Sequence, residues 1–86
     1  MTTINQDYAR QINEDLAEQG MNHILVVSTT KFSEGEMIYV NRVNDAGGIG
    51  ETLKATYTPI HADMFIDGFI AGHKAGKDRG IRLMQI

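Results

Sequence analysis

The chain has 86 residues, 42% apolar and 22% charged, with one proline, no cysteine and a formal net charge of −3. That length suits a single small domain spanning residues 1–86 and leaves no room for a second. The lack of cysteine excludes disulfides, thiolate chemistry and sulfur-bound zinc, and the mild acidity argues against a coat for nucleic acid.

The opening "MTTINQDYARQINEDLAEQG" is polar and acidic, with neither a basic n-region nor an apolar h-region. It predicts no secretory signal, and no apolar run approaches the ~20 residues of a membrane span. The expected setting is therefore cytoplasmic, away from membranes.

Thr3 and Gln6 fit a capping box, and Ile4, Tyr8, Ile12 and Leu16 then recur every fourth residue. With Gly20 as a stop, the spacing predicts a first helix over about 4–19. "HILVVSTT" is a β-branched run apolar on both alternations, which predicts an interior strand covered on both faces. "KFSEGE" supplies a turn around Gly35. "EMIYVNRV" follows as a second strand, with Ile38 and Val40 on one face and Met37, Tyr39 and Val43 on the other. After the glycine-rich "NDAGGIG", the strand "ETLKATYT" alternates, sending Leu53, Ala55 and Tyr57 inward and Thr52, Lys54 and Thr56 to water. Thr58-Pro59 ends it, a second helix covers about 61–76, and "IRLMQI" is either a short fourth strand or an extended tail. The fold class is α+β: a three-stranded antiparallel meander between N- and C-terminal helices, in the order α-β-β-β-α.

The second helix carries Gly68, Gly72 and Gly76 one turn apart, beside Phe65 and Phe69. Each glycine costs roughly 1 kcal/mol against alanine in a helix interior. The pattern predicts a close-packing face that offsets this loss. Its neighbour is the chain's own sheet, with Tyr57 or Tyr39 filling the gap, a helix of a second copy in a homodimer, or a partner on which this end orders.

Chemistry-bearing motifs are sparse. "DAGGIGE" lacks the G-x-G-x-x-G spacing and leads into a strand, so it reads as a flexible hairpin loop. His23, His61 and His73 are too scattered for a metal-ligand series, and His61-Ala-Asp63 has no third ligand. Ser28 and Ser33 have no nucleophile elbow or adjacent base, and Asp63 with Asp67 falls on a solvated helix face. The expectation is a non-enzyme with no cofactor and no metal.

Charge is segregated. Residues 1–20 set Arg10 against Asp7, Glu14, Asp15 and Glu18, whereas residues 74–86 set Lys74, Lys77, Arg79 and Arg82 against Asp78. Candidate partner contacts are Asp7, Glu14, Asp15 and Glu18 on the first helix, with Glu34, Glu36 and Asp45 at the hairpin ends. Lys74, Lys77, Arg79 and Arg82 are the alternative, as a phosphate-contacting patch.

In order and length the chain resembles a double-stranded-RNA-binding domain. That family places a basic cluster at the start of the second helix, where this chain reads "PIHADMFIDGF" with Asp63 and Asp67. The layout also resembles small phage-encoded accessory proteins, anti-CRISPR-like or toxin-inhibitor-like. The shared parts are "INQDYARQINEDL", the meander and "MFIDGFIAGHKAG". That resemblance implies stoichiometric inhibition of a host protein, with acidic groups occupying a basic groove.

Overall fold

The computed structural model describes residues 3–84, and side chains over 3–76. Thr3 is extended, its hydroxyl accepts from the Gln6 amide at 3.0 Å, and the Gln6 side chain accepts from the Thr3 amide at 3.2 Å. This reciprocal cap, worth about 1 kcal/mol, starts α1, Ile4–Glu18. Gly20 ends it at φ 72°, donating to the Ala17 carbonyl at 3.1 Å while Met21 donates to the Leu16 carbonyl at 2.8 Å. That pair of bonds needs a left-handed residue at position 20. It also turns Met21 into the core beside Leu16.

Strands β1 (Leu25–Phe32), β2 (Gly35–Val43) and β3 (Ile49–Thr56) form one antiparallel sheet in the order β1-β2-β3. The first strand is thus an edge strand and not the interior one expected. Leu25 and Val27 enter the core, while Val26 pairs with Asn41 on the opposite face and is only half-buried. What substitutes for a neighbouring strand is Asn13 of α1. Its side-chain amide donates to the Val27 carbonyl and accepts from the Val27 amide, both at 2.8 Å. One primary amide carries the donor and acceptor that a paired peptide would present, so it blunts the edge.

The alternation expected for β3 is also corrected. Val40 pairs with Lys54 but Asn41 pairs with Thr52, so Leu53 is an extra residue in a bulge. Leu53 packs against the core, Thr56 sits half-buried opposite Ile38, and Ala55 is exposed opposite Tyr39. The bulge region requires Gly50: a methyl group there would stand 2.8 Å from the Arg42 carbonyl oxygen.

The second helix, α2, runs Pro59–Met84. It is longer than 61–76 and takes in 81–84, which are helical and not a strand; Arg, Leu and Met are strong helix formers. Residues 85–86 lie outside the described residues. Proline at the first position forfeits no helical hydrogen bond, and the Thr58 carbonyl accepts from the Ala62 amide at 3.4 Å. Ala62, Ile66 and Ile70 are the buried row. They join Ala9 and Leu16 of α1 and Leu25, Val27, Ile38 and Val40 of the sheet in one cluster. Both helices therefore cover the same sheet face. They run side by side in the same direction, Tyr8 beside Asp63 and Gln19 beside Ile70. The other sheet face, with Val26, Ser28, Met37, Tyr39 and Val43, looks away from the helices.

The glycine strip does not pack on the sheet. Gly68, Gly72 and Gly76 are exposed, and among the described residues a methyl group at any of them would meet no atom within 4 Å beyond the helix's own backbone. The sheet-facing row is Ala62-Ile66-Ile70. Phe65 and Phe69 flank it half-buried, with ring centroids 6.3 Å apart. At about 100° per residue Gly68 and Gly72 fall on the far side of Phe65 from the buried row, and Gly76 falls between the directions of Phe65 and Phe69, past the end of that row. Tyr57 approaches Gly35 instead.

Candidate functional site

The outer surface of α1 carries the first four predicted contact residues. Arg10 lies 3.6 Å from Asp7 and 3.8 Å from Glu14, and all three are exposed. Such pairs are worth less than about 1 kcal/mol each, so they adjust the field of this face more than they hold it together. Asp15 and Glu18 are exposed on the same helix. The structure adds Asp63 and Asp67 of α2 to them, two acids that spacing puts on a solvated flank but that only the helix pairing brings beside α1. Asp15, Asp63 and Asp67 border a groove whose floor is Ile12, Leu16, Ile66 and Ile70. Tyr8 closes one end, its hydroxyl donating to Asp63 Oδ1 at 2.6 Å. Burial, then the hydrogen bond to Asp63, then the charges of Asp63 and Asp67 raise the Tyr8 pKa far above its ordinary value. Tyr8 is consequently a fixed donor.

Glu36 is corrected as a contact residue. It is only 9% exposed; the Thr3 hydroxyl donates to its Oε1 and the Gln6 side chain to its Oε2 at 3.0 Å. Asn5 donates to the Glu36 carbonyl at 2.6 Å and to the Tyr57 carbonyl at 3.1 Å. A carboxylate at a helix N-terminus also meets the favourable end of the dipole. Glu36 therefore fastens α1 to the sheet instead of facing a partner. Glu34 and Asp45 are exposed in the two hairpin connections, at opposite ends of β2 and roughly 30 Å apart. They do not join the α1 surface into one patch.

The loop after β2 is held by its own asparagine. The amides of Ala46 and Gly48 donate to Asn44 Oδ1 at 3.0 and 2.9 Å, and that of Gly47 to the Asn44 carbonyl at 3.0 Å. The N–H groups that would cradle a phosphate are already engaged, which fits the hairpin-loop reading. Among the described residues no group of three His, Asp or Glu side chains is placed to hold a metal ion. His73 is half-buried and its Nε2 is enclosed without a hydrogen-bond partner among the described residues. Lys74 is exposed on α2; Lys77, Arg79 and Arg82 are on its continuation, and their side chains lie outside the described residues.

The acid-bordered groove has a volume of about 240 Å³, below the roughly 300–1,000 Å³ of small-molecule sites. A broad charged surface with a shallow seam is suited to macromolecular contact. Among the described residues no helix is long and apolar enough to cross a membrane. No protein-family model, curated protein or solved structure matches the chain.

Proposed function

We propose that this chain is a small non-catalytic binding protein, of the kind phages encode, that inhibits or modulates a host defence factor through stoichiometric protein contacts. The factor is a nuclease, toxin or CRISPR effector, whose basic nucleic-acid groove is complementary to an acidic surface. The observation that carries this reading is the acidic rim of the groove, Asp15 of α1 with Asp63 and Asp67 of α2, beside which Glu14 and Glu18 are exposed on the outer surface of α1. Its support is pre-organised: the cap at Thr3, the Glu36 tie and the Asn13–Val27 bonds hold α1 before any partner arrives. Little ordering cost then opposes association.

The test is affinity capture from a bacterial host lysate, followed by titration of the recovered protein with wild type and with E14K/D15K/E18K. The expected result is a 1:1 complex and a Kd at least about tenfold weaker for the variant. Failure to recover a stoichiometric partner, or equal binding by the variant, would overturn the reading.

One observation favours a second reading, a nucleic-acid-associated module: both helices lie on one face of a three-stranded meander in α-β-β-β-α order. Short RNA and DNA duplexes, titrated at about 50 and about 200 mM salt, separate the two. Steeply salt-dependent binding that disappears in K74A/K77A/R79A/R82A would support this alternative.

A further inference from the structure

The side of α2 that borders the groove reads Asp63, Asp67, Ile70, Lys74, at i, i+4, i+7 and i+11. At about 100° per residue these four fall within roughly 60° of one another, a single straight flank. Asp63, Asp67 and Lys74 are exposed, and Ile70 sits between the two signs of charge as part of the core.

Asp67 and Lys74 of one chain do not reach each other. They are seven residues apart on one helix, about 10 Å along its axis, well beyond ion-pair reach. Among the described residues the ion pairs seen are those of Arg10 with Asp7 and Glu14. The same flank is, however, self-complementary about a two-fold axis that crosses the helix near Ile70. Antiparallel alignment there sets Asp67 of each copy opposite Lys74 of the other, whereas parallel alignment opposes like charges. A two-fold contact of this type closes on itself.

We infer that a second copy of this chain docks antiparallel along this flank, α2 against α2, with Asp67 of each copy meeting Lys74 of the other. The groove beside α1 provides the rest of the fit. Its floor of Ile66 and Ile70 suits the methylene stem of an incoming lysine, and Asp15, Asp63 and Asp67 suit its ammonium head. α2 continues beyond the level of Gln19, the end of α1, so the half bearing Lys74 projects past α1. This contact shares Asp15, Asp63 and Asp67 with the target surface proposed above, so the two associations compete, and it lies on the opposite side of α2 from the glycine strip.

Sedimentation equilibrium of the full chain at about 50 and about 500 mM salt tests it. Wild type is expected to be dimeric at low salt and to shift toward monomer at high salt. D67K and K74E should each weaken self-association by at least about tenfold, and an equimolar mixture of the two should recover it, because each reversal complements the other. Circular dichroism confirms folding; should a reversal disturb it, D67N and K74Q probe the same pairs and should also weaken the dimer. A wild type monomeric at low salt, a dimer indifferent to these substitutions, or a mixture no stronger than its components would overturn the inference.

Discussion

Replacing Gly68, Gly72 and Gly76 together by alanine should stabilise this protein substantially. All three are helical and exposed, and among the described residues a methyl group at each meets no atom within 4 Å beyond the helix's own backbone. Nothing among the described residues therefore opposes the gain from helix propensity, about 0.8–1.0 kcal/mol per site, or roughly 2.5–3 kcal/mol for the three. Part of that gain comes from the unfolded chain, whose backbone freedom alanine reduces. For a domain of this size 1 kcal/mol corresponds to about 4–8 °C, so the triple variant should melt roughly 10–20 °C higher. Thermal unfolding followed by circular dichroism, at low protein concentration to keep association out of the measurement, reads this directly. The single G68A change should give about a third of the effect. An unchanged or lowered melting temperature would refute the reasoning, because it would mean that something lies against the strip in solution and needs the missing side chains.

Three further substitutions probe the fold where side chains and backbone meet. G50A puts a methyl group 2.8 Å from the Arg42 carbonyl oxygen and should cost about 1–3 kcal/mol in denaturant unfolding, the opposite sign to the α2 glycines. N13A removes both bonds to Val27, and should cost about 1–2 kcal/mol and increase light scattering on storage, since the β1 edge is then open. The raised Tyr8 pKa stabilises the fold fully below the unfolded tyrosine value of about 10 and loses that contribution as pH rises above it. Y8F should accordingly be less sensitive to alkaline unfolding above about pH 10 than wild type, although it forgoes the bond to Asp63 at neutral pH.

The element order, the capping box and the facing of Ile38 and Val40 are all readable from spacing, because one dominant periodicity governs each segment. The misreadings share a different origin. β1 looks like an interior strand because both its alternations are apolar, and no local pattern discloses that Asn13 substitutes for a neighbour 14 residues away. β3 looks regular because a bulge leaves no residue signature; its position is tied to Asn41, which is 1% exposed and accepts from the Thr52 hydroxyl at 2.8 Å. Glu36 reads as surface because an acid in a hairpin is usually solvated, yet here it serves the capping residues of α1. In α2, Phe65 and Phe69 draw the eye to the wrong stripe. Three smaller residues, Ala62, Ile66 and Ile70, are the ones the sheet accommodates at close range. Of the candidate site, the acids of α1 are readable, whereas their juxtaposition with Asp63 and Asp67 is a tertiary fact.

The two helices are held very differently, and this links the two binding proposals. α1 is fastened by its cap, by Glu36, by Asn13 and by the turn at Gly20, so its carboxylates sit on a support that needs no ordering. α2 is held along Ala62, Ile66 and Ile70 and then runs on through the basic half of its sequence. The helix axis carries the basic end of the sequence away from the acidic groove at its own start. Each set of charges keeps its own counter-ions until another macromolecule replaces them, and that exchange is favourable only when salt is low. Salt concentration is for this reason the shared control variable. A target bound by α1 and a second copy bound by α2 should both dissociate as it rises, while the fold, held by an apolar core and short hydrogen bonds, should not.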